Sequence, residues 1–384
     1  MRKLLMYLNI LTCLISKIFL KKKNRWVFGA WFGNRISDNS YAFYNYIKLH
    51  YPSIDAIWIC NDVDEASKHD VNAVKRNSLK GIWICLTAKV AIMNQGYMDF
   101  GNLNWIAGSY KVQLWHGVPW KRIGEDMADH KKGVLHSISH NVYKLVNKYD
   151  LYIAPSEDIY SIVQSAFLAD QSKILKVGQP RNEMLMDQKR CSKAREKIAE
   201  IAGNHNVMIL YMPTFRDNSS KKFSFSSIQD DIWGILERYD AVILEKQHYV
   251  DSIRTKECET TSFRIRNVES MDSQELLAGA DILITDYSSC FFDYTLRKKP
   301  IIHYIYDYEN YKDKDRGLYF EKEYVLAGEA AFTNQELVRA IENAIQNPEI
   351  SVDRSELIRK RFCTFESSDD SRLIYERIKK DIKM

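Results

Sequence analysis

Short runs of apolar and β-branched residues alternate with helical stretches along most of the 384-residue chain. The runs that predict strands are residues 26–32, 56–60, 90–94, 112–115, 151–154, 207–211, 241–244, 263–268, 282–285 and 300–305. The stretches that predict helices between them include residues 158–168, 192–201, 273–280 and 334–345. Continuous apolar strands separated by helices indicate parallel sheets with helices on both faces, so we predict an α/β fold.

The chain is longer than a typical single domain. Two sets of about five strands fit two doubly wound domains, with a hinge between residues 183 and 205. We predict a membrane-surface helix over residues 1–25, an N-terminal domain over 26–190 and a C-terminal domain over 205–384, with the last helix packed either there or back on the N-terminal domain. Ligands of such folds bind beyond the C-terminal ends of the strands, and a cleft between the two domains is the expected site.

The formal net charge of +5 is concentrated at the N-terminus. Residues 1–26 carry seven of the 55 basic residues and no acid, which leaves 48 basic and 50 acidic residues in the rest of the chain. This balance excludes a globally basic nucleic-acid binder. The seven cysteines show no CxxC spacing, so neither a zinc site nor a disulfide framework is indicated, and a reducing compartment fits best.

The N-terminal stretch MRKLLMYLNILTCLISKIFLKKKNRW has the spacing of an amphipathic helix. Its polar residues are Asn9, Thr12, Ser16 and Lys17, and the apolar residues opposite them are Leu4, Leu8, Leu11, Ile15 and Ile18. Its apolar run is shorter than the roughly 20 residues that span a bilayer, and no signal-peptide cleavage site follows it. We therefore expect a helix in the plane of an anionic cytoplasmic leaflet, with Lys21–Lys23 on the headgroups. A true membrane anchor and a helix docked on the protein itself are the alternatives.

Two predicted strands have a histidine at or shortly after their end. In KVQLWHGVPWKRIG, residues 111–124, His116 follows the strand, and Lys121 and Arg122 stand where they could draw in phosphate. An imidazole titrates near neutral pH, so His116 is a candidate general base. LEKQHYV repeats the arrangement in the other half, with Lys246 and His248. The alternative is a structural histidine before a surface turn.

Three further segments place phosphate-binding groups after strands. GQPRNEML presents Arg181, and YMPTFRDN presents Thr214 and Arg216. In the run 280–307 a buried strand ends at Asp286, and Ser288 and Ser289 open a helix whose free N–H groups suit an anion. Arg316 and Gly317, downstream, are another candidate phosphate clamp. Ordinary turns, helix caps and a solvated charged loop are the alternatives for these segments.

Together these segments resemble the CDP-glycerol glycerophosphotransferase family, which includes teichoic acid primases and polymerases and related capsule polymerases. The matches are WHGVPWK, GQPRNE, YMPTFRD, TDYSSCFFDY and YIYDYENYKDKDRGLYF, in the order of the family and over roughly residues 111–320. The departures are Val118 and Trp120, where threonine and leucine are commoner, Glu183 in place of aspartate, and Tyr249 where the family often has proline. Val118 and Trp120 lie beside His116 and are candidates for choosing the acceptor.

The resemblance implies a GT-B-like fold, with two Rossmann-like domains that face a cleft and the nucleotide on the C-terminal one. It implies that Thr214, Arg216, Asp286, Ser288, Ser289, Arg316 and Gly317 bind CDP-glycerol, while Lys121, Arg181, Lys246 and His248 neutralise or position the phosphates. His116 would deprotonate the acceptor hydroxyl. No metal or other cofactor is expected to be required, and Mg²⁺ stays an alternative.

The implied reaction transfers glycerol phosphate to an undecaprenyl-diphosphate-linked or polymer acceptor and releases CMP. It would take place at the cytoplasmic face of the bacterial membrane, in teichoic acid, capsule or related polymer synthesis. A CDP-ribitol donor, a GT-B glycosyltransferase that uses a nucleotide sugar, and a catalytically silent scaffold are the alternatives. No nucleic-acid partner is expected.

Overall fold

The structure, a computed structural model, describes residues 2–127, 148–214, 223–246, 263–308 and 317–384. The chain divides into two compact units. Unit 1 contains Met1–His116, Gly124–Arg181 and Phe365–Met384. Unit 2 contains Gly117–Ile123 and Asn182–Thr364. The segment 111–124 therefore begins in one unit, continues in the other, and returns.

Within the described residues, unit 1 is built on a seven-stranded parallel sheet. Its strands are β1 (Lys22–Phe28), β2 (Asp55–Cys60), β3 (Ala73–Lys75), β4 (Ala88–Met93), β5 (Tyr110–Gln113), β6 (Leu151–Ala154) and β7 (Ile174–Lys176), in the order β3-β2-β1-β4-β5-β6-β7. The order reverses between β1 and β4, which are paired in parallel, as in a doubly wound fold. The central strands are apolar on both sides because helices cover both faces of such a sheet.

The helices of unit 1 are α1 (Arg2–Ile18), α2 (Asp38–His50), α3 (Val63–Ser67), α4 (Leu79–Thr87), α5 (Glu157–Ala166) and, at the other end of the chain, α14 (Asp370–Asp381). The last helix belongs to the core of this unit, where Ile374 and Ile378 are buried with Trp26 and Phe28. The ring of Tyr375 stacks on that of Tyr51 at 3.7 Å.

Helix α1 packs on unit 1 by its polar face. Ser16 Oγ donates to the Trp105 carbonyl at 2.7 Å and accepts from Gly108 N at 3.0 Å, and Asn9 Oδ1 accepts from Asn104 N at 3.0 Å. Buried hydrogen-bonding groups need partners, and these bonds supply them. The apolar face is therefore turned outward, and it exposes Tyr7, Leu8, Leu11, Leu14 and Ile18.

Unit 2 contains, within the residues that the structure describes, a six-stranded parallel sheet. Its strands are β8 (Val207–Tyr211), β9 (Ala241–Glu245), β10 (Ile265–Asn267), β11 (Ile282–Thr285), β12 (Ile301–Tyr304) and β13 (Glu329–Ala331), in the order β10-β9-β8-β11-β12-β13. The order reverses between β8 and β11, where Leu210 lies opposite Leu283. This switch point is where doubly wound folds bind ligands.

The helices of unit 2 are α6 (Glu183–Met186), α7 (Gln188–Ala202), α8 (Gln229–Arg238), α9 (Ser273–Gly279), α10 (Cys290–Tyr294), α11 (Lys322–Val325), α12 (Asn334–Gln346) and α13 (Pro348–Phe362). Helix α12 begins with a capping box, in which Thr333 and Glu336 each bond to the other's backbone N–H. Leu337 and Ile341 on this helix pack into the core of the sheet.

All ten runs predicted as strands overlap strands of the structure, which confirms the α/β class. The ten runs leave out β3, β7 and β13, which have three residues each and lie at sheet edges, where few apolar residues mark a strand. None of the helices in the described ranges has both the length and the apolar character needed to span a bilayer.

Candidate functional site

His116 follows β5 on a loop with an unusual backbone. Trp115 has φ +55 and Gly117 has φ +136, so the chain turns sharply on both sides of the histidine. A left-handed tryptophan costs about 1–3 kcal/mol and persists only where its surroundings impose it. The Trp115 ring stacks on the imidazole at 4.3 Å, and the Trp31 ring lies 5.6 Å from it. The loop thus holds the imidazole against two indole rings.

The His116 ring is half-buried, and its environment favours the neutral form. Burial lowers the pKa of His116, Asp38 raises it, Arg181 lowers it and the Asn94 backbone raises it, with a net lowering. Nδ1 is buried and has no hydrogen-bond partner among the described residues. A neutral imidazole is the form that a general base requires at neutral pH.

Arg181 and Asp38 form a buried ion pair behind His116. Arg181 Nη1 donates to Asp38 Oδ1 at 2.7 Å and to the backbone carbonyl of His116 at 3.1 Å. The two side chains are 11% and 5% exposed. The Arg181 guanidinium, which was predicted to bind substrate phosphate, is therefore hydrogen-bonded to Asp38 and to the backbone of His116.

Asn39, fully buried, connects the same three segments. Its Nδ2 donates to the carbonyls of Leu114 at 3.2 Å and Trp115 at 3.1 Å, and its Oδ1 accepts from Arg181 N at 3.2 Å. Next to it, Ser40 Oγ donates to Asn94 Oδ1 at 2.7 Å. The start of α2 thus fixes the loops that follow β4, β5 and β7.

The loop that carries Arg181 is anchored by the end of the chain. Gly178 N donates to Asp370 Oδ1 at 3.2 Å, and Gln179 N donates to Glu366 Oε2 at 3.0 Å. A Cβ at Gly178 would overlap both of these carboxylates, so only glycine fits. The C-terminal residues of unit 1 therefore support the site from outside the predicted motifs.

Lys121 and Gly317, far apart in sequence, come together in unit 2. Lys121 forms an antiparallel bridge with Leu318, and Arg122 N donates to the Gly317 carbonyl at 3.0 Å. Gly317 has φ +80, a conformation that favours glycine. Trp120 Nε1 donates to the Phe320 carbonyl at 2.8 Å. The second half of the WHGVPWK motif is thus paired with the RGLYF motif.

The switch point of unit 2 is bridged by Asp286. Its Oδ1 accepts from Thr214 N at 2.8 Å and from Tyr287 N at 2.6 Å, and its Oδ2 accepts from Thr214 Oγ1 at 3.0 Å. Thr214 follows β8 and Asp286 follows β11, the two strands at which the order reverses. One buried carboxylate therefore shapes both loops at the expected ligand site.

Ser288 and Ser289 are half-buried at the start of α10. Cys290 N donates to Ser288 Oγ at a long 3.5 Å, and Ser289 makes no side-chain cap bond within the described residues. Residues 286–289 form the turn between β11 and α10, so both serines follow Asp286 closely in the chain. This agrees with a helix start at these serines, as predicted.

Lys246, after β9, is buried and bonded to backbone. Its Nζ donates to the carbonyls of Glu269 at 2.9 Å and Met271 at 2.6 Å. A buried ammonium needs acceptors, and these two carbonyls supply them. The side chain predicted for phosphate thus fixes the turn that precedes α9.

Nearly the whole chain matches a family model. That family is the CDP-glycerol:poly(glycerophosphate) glycerophosphotransferases, and its model matches residues 11–380. The chain belongs to this family. The predicted family and enzyme class, a glycerophosphotransferase, are therefore confirmed.

Relatives and a solved structure support the membership. The chain is 30% identical to a teichoic acid poly(glycerol phosphate) polymerase of Bacillus spizizenii, over 92% of this chain and 91% of that protein. It is 29% identical to a teichoic acid glycerol-phosphate transferase of Staphylococcus aureus, over 95% of each. The structure of the wall teichoic acid polymerase TagF superposes with a TM-score of 0.83 at 26% identity, over 99% of this chain and 94% of that one. The predicted GT-B-like fold is confirmed by this match.

Among the residues predicted for this glycerophosphotransferase site, the structure associates three sets. His116 is bonded to Arg181, Lys121 lies beside Gly317, and Thr214 is bonded to Asp286. Arg216, His248 and Arg316 lie outside the described residues. In the described part of the chain, no group of three or more His, Cys, Asp or Glu side chains is placed to hold a metal ion.

Val118 and Trp120 do not offer a surface for choosing an acceptor. Val118 is fully buried, and the Trp120 ring packs against Tyr287 and Phe291. The two residues that differ from the commoner family residues are thus packed in the core of unit 2. That expectation was wrong. Both side chains are buried in unit 2, which their position after β5 of unit 1 does not reveal.

Sequence reasoning missed Asp38, Asn39 and His303. His303, on β12, accepts from Ala327 N at Nε2, 3.0 Å away, so its proton is on Nδ1, which lies 3.4 Å from the Asp286 carbonyl. Burial lowers the pKa of His303 to about 4. His303 lies within β12 instead of after it, so the strand-end rule does not mark it. The signal for Asp38 and Asn39 is the Ser-Asp-Asn run at the start of α2.

Proposed function

We propose that this chain transfers glycerol phosphate from CDP-glycerol to a hydroxyl of a growing teichoic acid chain or its lipid-linked starter, with release of CMP. The observation that carries the proposal is His116, a half-buried imidazole that burial keeps neutral. Its loop is fixed by hydrogen bonds from Asn39 to the Trp115 carbonyl and from Arg181 to the His116 carbonyl. A family of CDP-glycerol:poly(glycerophosphate) glycerophosphotransferases supplies the donor and the reaction class.

In the proposed step, Nε2 of His116 takes the proton of the acceptor hydroxyl. The hydroxyl oxygen attacks the β-phosphorus of CDP-glycerol and forms the new phosphodiester bond. The bond from the β-phosphorus to the bridging oxygen breaks, and CMP leaves with its electron pair. CMP is a good leaving group, so positioning and charge neutralisation supply most of the rate.

Unit 2 is proposed to hold the donor at its switch point. Thr214, Ser288 and Ser289 offer hydroxyl groups there, and Asp286 keeps the loops in shape. Lys121 supplies positive charge beside Gly317. Arg216, His248 and Arg316 keep their predicted roles on the phosphates, and Lys246 acts through the turn that it fixes.

No resident metal is proposed. The test is turnover of the full chain after EDTA treatment and then with added Mg²⁺. Turnover that survives EDTA supports the proposal, and turnover that requires Mg²⁺ overturns it.

The reaction is tested by incubating the purified full chain with a lipid-linked glycerol phosphate acceptor and a panel of donors. We expect CMP from CDP-glycerol, and little or none from CDP-ribitol. UMP or UDP released from a nucleotide sugar would identify a glycosyltransferase instead. Product length by gel electrophoresis separates addition of one unit from addition of many.

We further propose that the enzyme works at the cytoplasmic face of an anionic membrane. The outward face of α1 is apolar, and Ile18 is 80% exposed. Burying a leucine-sized side chain contributes about 1.5–3 kcal/mol, and each lysine near anionic headgroups about 1 kcal/mol. The exposed Lys22 and Lys23 open β1, the element that follows this helix in the chain.

Helix α4 extends this apolar face. Trp83, which is 53% exposed, meets Phe19 edge to face at 5.8 Å, and Leu79 is also exposed. Lys21 Nζ links the end of α1 to the end of α4 by donating to the carbonyls of Ser16 at 2.8 Å and Leu86 at 2.6 Å. Residues 1–37 and 71–98, which supply both helices, contain no acid. Absence of acid together with an exposed tryptophan is typical of a membrane interface.

Sedimentation with phosphatidylglycerol vesicles tests this surface. We expect Leu14→Ser/Ile18→Ser and Trp83→Ser each to weaken binding severalfold, with CDP-glycerol turnover on a water-soluble acceptor retained. Ile350, 71% exposed on α13, provides a matched control, and Ile350→Ser should leave binding unchanged. Equal sedimentation of all variants would refute the membrane proposal.

A further inference from the structure

We infer that Asp38 and Arg181 are a pair of positioning residues that set the orientation and the proton affinity of His116. The inference rests on the proposed role of His116 as the base. It gives Arg181 a different task from the phosphate binding predicted from sequence, and it gives Asp38 a task where none was predicted.

The geometry ties the pair to the histidine at two levels. The same Nη1 of Arg181 donates to Asp38 Oδ1 at 2.7 Å and to the His116 carbonyl at 3.1 Å. Asn39 links the same two loops, because its Oδ1 accepts from Arg181 N and its Nδ2 donates to the Trp115 carbonyl. Movement of the guanidinium would therefore move the backbone of His116.

Asp38 occupies its place against a conformational cost. It is the first residue of α2 and has φ +71, in the left-handed region. Asn39 N donates to Asp38 Oδ1 at 2.8 Å, so the carboxylate that faces Arg181 also bonds to the helix start. A non-glycine residue held in this region costs about 1–3 kcal/mol, so the surrounding bonds must impose it.

The two charges act on the imidazole in opposite directions. The carboxylate of Asp38, on α2, stabilises the protonated ring, and the guanidinium of Arg181, on the turn after β7, destabilises it. Among the described residues, the other groups that act on or contact the ring are uncharged: the Asn94 backbone after β4 and the indoles of Trp31 and Trp115. Neutralising one member of the pair leaves the other unbalanced, so the two substitutions have effects of opposite sign.

The test measures the pH dependence of CMP release and, in parallel, the titration of the His116 ring by NMR of histidine labelled at Cε1. Asp38→Asn should move the acid limb of the rate profile and the ring titration to lower pH by about one unit. Arg181→Gln should move both to higher pH by a similar amount. The KM for CDP-glycerol should stay within about twofold of that of the parent enzyme, because a positioning pair does not touch the donor.

Conservative variants keep the test decisive if one substitution prevents folding. Arg181→Lys retains the charge and should leave the ring titration near that of the parent, while the loss of one bonded nitrogen lowers kcat. The shift in Asp38→Asn alone decides the sign. A combined Asp38→Asn/Arg181→Gln variant should return toward the parent profile.

The outcomes separate the two proposals. Ring titrations that shift in opposite directions while the acid limb stays fixed support the pair and refute His116 as the base. Ring titrations that do not shift in opposite directions overturn the pair. A rise of tenfold or more in the KM for CDP-glycerol in Arg181→Lys, with an unshifted ring, assigns Arg181 to the donor and also overturns it.

Discussion

The two units fix their candidate site residues in different ways. In unit 1, the loop of His116 is fixed by several groups on separate segments, including Asn39, Arg181 and Asp38. In unit 2, one carboxylate, that of Asp286, accepts three hydrogen bonds that shape the loops after β8 and β11. The first arrangement is distributed and the second is concentrated.

The difference fits the roles that we propose for the two units. A base needs a finely set orientation and proton affinity, which several weak constraints can adjust independently. A phosphate-binding turn needs a fixed backbone, which a single buried acceptor can impose. Single substitutions should therefore tune unit 1 and disable unit 2.

The largest effect is expected at Asp286. Asp286→Ala leaves the half-buried N–H group of Thr214 and the buried one of Tyr287 without their acceptor, at about 1–3 kcal/mol each. We expect kcat/KM for CDP-glycerol to fall more than about 100-fold and urea unfolding to show a loss of about 3 kcal/mol. Asp286→Asn, which keeps one acceptor oxygen, should fall between. A loss of tenfold or less in kcat/KM for Asp286→Ala would show that the loops of unit 2 do not depend on this one carboxylate.

The second prediction concerns the pH dependence of stability through His303. Its pKa is about 4 in the folded chain, below the ordinary 6.5. The unfolded chain therefore takes up the proton first as pH falls, so stability is fully present above pH 6.5 and is lost toward pH 4. At about 1.4 kcal/mol per pH unit, this loss is about 3 kcal/mol.

His303→Gln removes this titration while an amide can still accept from Ala327 N and donate to the Asp286 carbonyl. Denaturant unfolding between pH 7 and pH 4 should show a shallower loss in the variant than in the parent. His303→Phe, which can make neither bond, is the destabilised control. Identical slopes in parent and His303→Gln would mean that this histidine does not titrate as described.

The third prediction is a moderate effect at Asn39. Asn39→Ala removes bonds to Leu114, Trp115 and Arg181, but the Arg181–Asp38 pair remains. We expect kcat to fall about tenfold, with the KM for CDP-glycerol nearly unchanged. Steady-state CMP release measures both. If kcat falls as far as in Asp286→Ala, the contrast between the two units disappears.

The smallest effect is expected at a helix cap away from both loops. Thr333→Ala removes the capping box of α12 and should cost about 1 kcal/mol of unfolding free energy. CMP release should be unchanged, which calibrates how much activity depends on the general stability of unit 2. Reduced turnover at full folding would show that α12 is coupled to the site.

Much of the fold was predictable because its signals are local. The strands 151–154, 207–211 and 282–285 were predicted with the bounds that the structure gives them. Continuous apolar runs and flanking helices determine these elements. The strand-end rule also placed Thr214 and Asp286 at one edge of a sheet, where they are bonded.

The details that could not be predicted depend on distant pairings. Lys121 meets Leu318 through a bridge between segments far apart in sequence, and no periodicity encodes it. Lys246 was assigned to phosphate because a cation after a strand is a common ligand. In the structure its Nζ donates to the Glu269 and Met271 carbonyls, and only the course of the chain after β10 reveals those acceptors. For the same reason, the polar face of α1 could not be assigned to the protein surface from its helical spacing.

The most direct test is single-turnover CMP release by His116→Asn with CDP-glycerol and acceptor both saturating. Equilibrium dialysis with CDP-glycerol should first confirm that the donor still binds, since unit 2 is untouched. A general base contributes about 10²–10⁴ in rate, so release should fall by at least about 100-fold. CMP release near the parent rate, with donor binding intact, would contradict the role assigned to His116.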